Sequence, residues 1–339
     1  MMMGRNFIIL VITLFVSFSS VAQQNNFVRV FNYTSKTPKG LLTDRSVVFV
    51  NVDEENESRT NWKKIATKTQ PAFAGIGIDV IGYFNVQDVF AGLGTQRAFA
   101  NFLLKRNINN ILLIEKTGPQ YTLKMAHFNE KPNFLDQGQK AWKTQGSGLD
   151  DILANLRRAV GASGMKRENF LVTKTPEFFE DINLFKRGRY EDYNRDLKLD
   201  KLAIPMFTQI AIPSNLSEST SQISSLNATR KRDSLDLVSI MKAYPFQYGF
   251  VDPSKTEKAL RNDKYEFVLY YLNTSENIIH KLLNYPQEKT TKSNAPTVKF
   301  YVKHIFSGEI YLGKWDASTS WQQALRNHLE GIKARVEKK

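Results

Sequence analysis

Residues 308–315, Gly308-Glu-Ile-Tyr-Leu-Gly313-Lys314-Trp315, have the outline of a nucleotide loop. They keep the G-x-x-x-x-G-K spacing, but Trp315 stands where a Ser or Thr would hold magnesium. The residues between the glycines are bulky strand formers, whereas a phosphate loop must turn successive backbone N–H groups toward its ligand, so the stretch reads as a strand. Gly75-Ile-Gly77 and Gly92-Leu-Gly94 lack the G-x-G-x-x-G spacing of a dinucleotide turn. The four histidines, His127, His280, His304 and His328, have no second His or Cys at metal-ligand spacing. Gly161-Ala-Ser-Gly164 is not the G-x-S-x-G elbow of serine hydrolases. Acidic residues cluster at Asp53-Glu54-Glu55, in a loop after a strand, and at Asp150-Asp151, in the first turn of a helix, where carboxylates suit the dipole. With no cysteine, thiolate nucleophiles, thiolate metal sites and disulfides are excluded. No catalytic or metal-ligating set is assigned and no cofactor is expected. Facing carboxylates of a hydrolase need no local motif, so that reading stays open.

Charge is the more informative chemistry. The 339 residues carry 47 Lys and Arg against 33 Asp and Glu, a net charge of +14. The surplus is spread along the chain, and its densest point is Arg230-Lys231-Arg232; Lys299, Lys303 and Lys314 extend a candidate basic face onto a hairpin. Such a face attracts anionic glycolipid, cell-wall polymer or an acidic protein surface; the plainer alternative is a solvated surface with a general positive bias. Nucleic acid is not expected for an exported chain without a known binding module.

Export is read from residues 1–22. Arg5 supplies a positive start, residues 7–16 an apolar run, and Ser20 and Ala22 the small residues of a cleavage site. The run is shorter than the roughly 20 residues of a membrane span, though an uncleaved anchor is the alternative. No later segment approaches that length, so no membrane span is expected after cleavage. A large exported chain without cysteine suits a bacterial periplasm.

The elements that must position these residues follow one order twice. In the first half, residues 46–52, 78–84, 110–116 and 121–128 read as strands, 61–73 and 87–106 as helices with Gly92 and Gly94 as weak points, and 149–160 as an amphipathic helix. In the second, 205–212, 246–251, 265–272, 297–306 and 309–315 read as strands, and 229–243, 253–262 and 320–336 as helices. Ser320 and Gln323 have capping-box spacing. Ser214 to Ser225 and 287–294 read as loops. His127 and His304 fall on corresponding hairpin strands. Trp142 and Trp315 each precede the last helix of a half, and by that register a further arm lies near 139–143. The fold class is α/β (α+β): two similar β-α-β-α-β-β-α domains, mixed sheets with helices packed on them. The boundaries are a signal peptide at 1–22, domain 1 at 23–165, a helical linker at 166–200 and domain 2 at 201–339. One larger α/β domain with a coincidental order is the alternative.

The hairpin turning at Ser307-Gly308, its return strand from Glu309 to Leu312 and a helix carrying Ala324-Leu325-Arg326 and His328-Leu329 resemble the last unit of the TolB amino-terminal and CsgG-like domains. That resemblance implies a periplasmic α/β recognition module without catalysis, serving envelope assembly or secretion. The chain lacks a TolB-like propeller and CsgG-type pore hairpins. The reading is therefore a non-enzymatic periplasmic binding or assembly protein of the Gram-negative envelope, with an outer-membrane or secretion complex as its setting and an envelope protein as partner. The alternatives are an envelope hydrolase or a binder of anionic glycolipid or cell-wall polymer.

Overall fold

A computed structural model describes residues 29–52, 61–172, 175–178, 185, 188–214, 221–285 and 295–336. The expected signal segment and Asp53-Glu54-Glu55 lie outside the described residues. No helix among the described residues is long and apolar enough to cross a membrane.

The first unit contains β1 (Asn32–Tyr33), β2 (Arg45–Val52), α1 (Asn61–Ile76), β3 (Asp79–Asn85), α2 (Val86–Val89), α3 (Leu93–Lys105), β4 (Ile108–Thr117), β5 (Gln120–His127), β6 (Lys140–Gly146) and α4 (Leu149–Ala162). The connector gives β7 (Glu177–Phe178). The second unit contains β8 (Arg189–Tyr190), β9 (Leu202–Pro205), α5 (Ser221–Met241), β10 (Tyr248–Val251), α6 (Glu257–Asn262), β11 (Phe267–Ser275), α7 (Glu276–Leu283), β12 (Pro296–His304), β13 (Ile310–Tyr311) and α8 (Trp321–Val336).

The two sheets have one topology. Their orders are β1-β6-β5-β4-β2-β3-β7 and β10-β9-β11-β12-β13-β8. With β8 set against β1, β9 against β2 and so on to β13 against β6, six strands match in place and in direction. The match extends to single residues. His127 opens one hairpin opposite Asn110, and His304 opens the other opposite Phe267. One residue on, Phe128 N–H donates to Asn109 O and Ile305 N–H to Glu266 O, both at 2.8 Å. The strand β7 alone has no described counterpart.

Sequence patterning explains the layers. Val47-Val48-Phe49-Val50 is wholly buried, as suits a parallel strand covered on both faces. Alternate residues of that run face opposite cores. Val48 and Val50 meet α1 and α4 through Trp62, Ile65, Ile152 and Leu156. Val47 and Phe49 face a central core shared with the second sheet. Phe84, Phe90, Phe99 and Phe134 fill it from the first unit, and Val268, Tyr270, Leu272 and Tyr301 from the second. The outer face of the second sheet is covered by α5 and α8 through Leu237, Ile240, Leu325, Leu329 and Ile332. The result is five layers: helices, sheet, a middle layer holding α2, α3, α6 and α7, sheet, helices. At the seam, Asn273 N–H donates to Ala91 O at 2.6 Å, and Thr274 Oγ1 lies 3.3 Å from Asp88 Oδ1.

Several expectations are corrected. The strand read at 205–212 occupies Leu202–Pro205 instead; Pro205 has no N–H to extend a ladder, and Ile210 is held by the Asn227 side chain, at 2.7 Å to its N–H and 2.9 Å to its carbonyl. The helix read over 87–106 breaks at Phe90-Ala91-Gly92, where the chain passes against β11. The described residues of the linker 166–200 are not a helix: they give β7, β8 and a 3₁₀ turn at Arg195–Lys198. Both short strands lie at sheet edges, β7 on the first sheet and β8 on the second. Ser221 to Ser225 belongs to the start of α5 rather than to a loop. In register, the counterpart of Trp142 (opposite Met125) is Tyr311 (opposite Val302), not Trp315.

Candidate functional site

The six basic residues do not form one face. The helix α5 carries Arg230, Lys231 and Arg232, of which the last two are exposed. Arg230 turns its Nη1 to Thr208 O at 2.8 Å, and burial lowers its guanidinium below the ordinary value. Lys303 lies 2.8 and 2.9 Å from the two oxygens of Glu257, so its charge is met within the fold. Lys314 is exposed beyond β13. Lys299 corrects the expectation most sharply, because it is fully buried. Strand alternation places it on the Tyr301 side of β12, toward the central core rather than the solvent.

Around Lys299 lies a cluster of charged groups inside the fold. Its Nζ is 2.6 Å from Asp316 Oδ1 and donates to Phe300 O at 2.9 Å and to Leu312 O. Asp316 Oδ2 meets His328 Nδ1 at 3.0 Å, and Tyr193 OH stands 3.1 Å from the same nitrogen. The strand β13 is only two residues long, so the chain beyond it can bend Asp316 between Lys299 on β12 and His328 on α8. Burial acts to raise the Asp316 carboxyl, but the charges and hydrogen bonds of His328 and Lys299 outweigh it and hold it below the usual range. Burial lowers the Lys299 ammonium, with Asp316 opposing. Burial, then Lys299, lowers the His328 imidazole against the pull of Asp316. The consistent state is an ionised Asp316, a charged Lys299 and a neutral His328 donating Nδ1–H to the carboxylate. An Asp–His pair of this kind is an acid–base element elsewhere. Here His328 Nε2 has no hydrogen-bond partner and His328 is wholly buried, so no substrate reaches it in this conformation.

A second constellation was missed in the sequence. Ser307 Oγ is 2.8 Å from His304 Nδ1, and His304 Nε2 is 3.5 Å from Glu266. Ser, His and carboxylate in series are the parts of a nucleophilic triad. The signal was the local spacing His304-x-x-Ser307 beside a cross-strand glutamate. The surroundings do not complete it. Ser307 Oγ donates to Glu309 Oε2 at 2.9 Å, and Glu309 also accepts from Tyr190 and Tyr311 at 3.1 and 3.2 Å. Hydrogen bonds from Ser307 and Tyr190 hold the Glu309 carboxyl low. The nearby backbone donors are engaged too: Gly308 N–H bonds His304 O at 2.9 Å, and Glu309 N–H bonds Ser307 Oγ at 3.3 Å. No pair of N–H groups is left to stabilise an oxyanion. The group caps a hairpin turn at which Gly308 takes φ +76°.

His280 stacks on Trp315 with ring centres 4.1 Å apart, and His127 is exposed at its hairpin end. A surface groove of about 380 Å³ lies at the β5–β6 side of the first sheet, where Pro119, Gln120, Gln145, Gly146 and Ser147 line it without an acid or base.

The surface is different in character on the connector after α4. Arg167 Nη2 reaches Ala74 O at 3.4 Å. Glu168 and Asn169 both donate their N–H groups to Leu42 O at 3.1 Å, and Asn169 Nδ2 reaches Gly77 O at 3.2 Å. The next two side chains, Phe170 and Leu171, are 77% and 95% exposed. A segment tied to α1 and to the turns at Leu42 and Gly77 thus presents two apolar side chains to solvent.

Comparison with known proteins finds no match to the chain among family models, curated proteins or solved structures.

Proposed function

We propose that this chain is an exported, non-enzymatic binding or assembly protein of the Gram-negative periplasm that engages an envelope protein through Phe170 and Leu171. The exposed Phe-Leu pair on its pinned loop carries the reading. Adjacent large apolar side chains left in water on an anchored backbone are characteristic of protein contact sites. The signal-like residues 1–22, the paired units and the resemblance of the last hairpin and helix to TolB- and CsgG-like modules support the same reading. The buried Lys299–Asp316–His328 group and the capped Ser307 turn serve the fold. The dispersed basic residues favour a protein partner over an anionic polymer, which would meet a continuous basic face.

The test is a photo-crosslinking residue at position 170 in intact cells, with mass spectrometry of the adduct. The expected result is a reproducible, identified envelope protein, lost when Leu171→Asp is added. No adduct at 170, or one indifferent to Leu171→Asp, would overturn the reading.

A further inference from the structure

The second unit holds an amine and a carboxyl group pressed together. Lys299, on β12, is fully buried, and the Asp316 side chain is only 13% exposed. Lys299 Nζ stands 2.6 Å from Asp316 Oδ1, yet Oδ1 receives no aligned N–H. The donors of Nζ go elsewhere, to Phe300 O at 2.9 Å and to Leu312 O. A nitrogen bonded to Cε and donating twice has one position left, and here the carboxyl group lies beside it. In the neutral amine that position carries the lone pair. The ring of Tyr285, centred 5.9 Å from Nζ, walls the site. This is a nucleophile next to an electrophilic carbon, near the roughly 3 Å separation from which intramolecular reactions gain most.

The protons that the reaction needs are already in the pair. Passing one from Nζ to Oδ1 gives a neutral amine and a carboxylic acid, which escape the desolvation cost of two charges inside the fold. Burial already lowers the Lys299 ammonium. The Lys299 charge is one of the influences that keep Asp316 ionised, so that hold weakens as the ammonium gives up its proton. His328 Nδ1, 3.0 Å from Asp316 Oδ2, donates to the oxygen on which negative charge develops during attack.

We infer that Lys299 and Asp316 condense after folding into an intramolecular amide that ties β12 to the chain beyond β13. The Nζ lone pair bonds Cγ, and the Cγ–Oδ2 π pair moves onto Oδ2, facing His328. A second proton passes from Nζ to Oδ1, the Cγ–Oδ1 bond breaks, and Oδ1 leaves as water while Oδ2 becomes the amide carbonyl. The ammonium and carboxylate become one amide and one water, with no other reactant and no change of oxidation state. The exposed edge of Asp316 gives the water its way out. The ion pair is the state in which the chain folds, and the amide is the state into which it matures. The tie falls where backbone pairing is thin: β13 has two residues, and the pairing of Val298 with Ser318 is an isolated bridge. In a chain without cysteine it supplies the closure that a disulfide would otherwise give. This inference is independent of the contact proposed at Phe170 and Leu171.

Intact mass spectrometry of the purified full chain tests it. During incubation of the folded protein, a species should accumulate that is lighter, by the mass of one water, than the sequence from its observed amino terminus. Its tryptic digest should contain a branched peptide in which Lys299, uncut, is joined to residues 315–326. Lys299→Arg keeps the charge without the amine and should hold full mass throughout. His328→Phe removes the donor to Oδ2 and should slow the loss about a hundredfold. The parent measurement needs no variant, so a substitution that fails to fold does not spoil it. Full mass and only unbranched peptides after prolonged incubation of the folded parent would overturn the inference. So would a water loss that persists in Lys299→Arg, or one that proceeds equally in urea-unfolded chain.

Discussion

Gly92 lies directly beneath the Tyr271 carbonyl: a Cβ at position 92 would stand 2.0 Å from that oxygen. The contact joins the start of α3 to β11, and so joins the two units. Gly94, two residues on, leaves the same kind of room for Tyr301 OH, 2.2 Å from a Cβ there. Gly92→Ala must push backbone from backbone, because the obstacle is a carbonyl and cannot rotate away. The expected cost is about 2–3 kcal/mol, the upper part of the range for overpacking. Denaturant unfolding of the variant should show a lower midpoint, and an unchanged midpoint would deny the close approach.

Acid should weaken the fold through His328. Burial and Lys299 keep its imidazole neutral in the folded chain, below its ordinary pKa of 6.5, despite Asp316. Below that pH the unfolded chain takes up a proton that the folded chain refuses. Stability is therefore full above about pH 6.5 and falls as pH drops toward the lowered folded value, with a limiting slope of about 1.4 kcal/mol per pH unit. Asp316, lowered by His328 and Lys299 over the opposing effect of burial, adds a second loss at pH values below 3.8. Urea midpoints from pH 8 to 5 should show the first loss, and His328→Gln should flatten it. The other three histidines remain in both proteins and cancel.

Breaking the buried ion pair on one side should cost more than removing it. Lys299→Met leaves the Asp316 carboxylate with His328 alone, at an expected cost of about 3–5 kcal/mol. Lys299→Met combined with Asp316→Asn should recover part of that loss, because no uncompensated charge is then left inside. Additive losses in the double-mutant cycle would show that the pair is not coupled.

Gly313 combines two constraints. Its φ is +66°, and a Cβ there would stand 2.0 Å from Tyr193 OH. Gly313→Ala should cost about 1 kcal/mol for the backbone alone, and more for the collision. Tyr193→Phe removes the colliding oxygen. In the Gly313→Ala background it should therefore be less harmful than in the parent, a sign that thermal unfolding of the four proteins reads directly.

The long elements were legible because their patterning is strong. The buried run of β2, the apolar stripe of α4 at Leu149, Ile152, Leu153, Leu156 and Val160, and the Ser307-Gly308 turn all sit close to where the residues place them. Two-residue strands such as β1 and β8 carry no periodicity, since their formation depends on β6 and β13 far along the chain. The helix α7 follows β11 at Ser275 without a glycine or proline to mark the change. Lys299 was misread because a lysine in a strand is read from its charge, while its burial is set by Asp316, seventeen positions on, and by His328 on another element. Phe170 and Leu171 gave no signal at all: nothing local distinguishes an apolar pair that will be left in water from one that will be covered.

The shared middle layer bears on how such a chain is made. Synthesis delivers α3 well before β11 and β12, so the first unit must wait with Gly94 and Arg97, which meet Tyr270 and Tyr301, facing a sheet that does not yet exist. The present molecule has the form of two units of like topology joined end to end, with the contact between them as an interior.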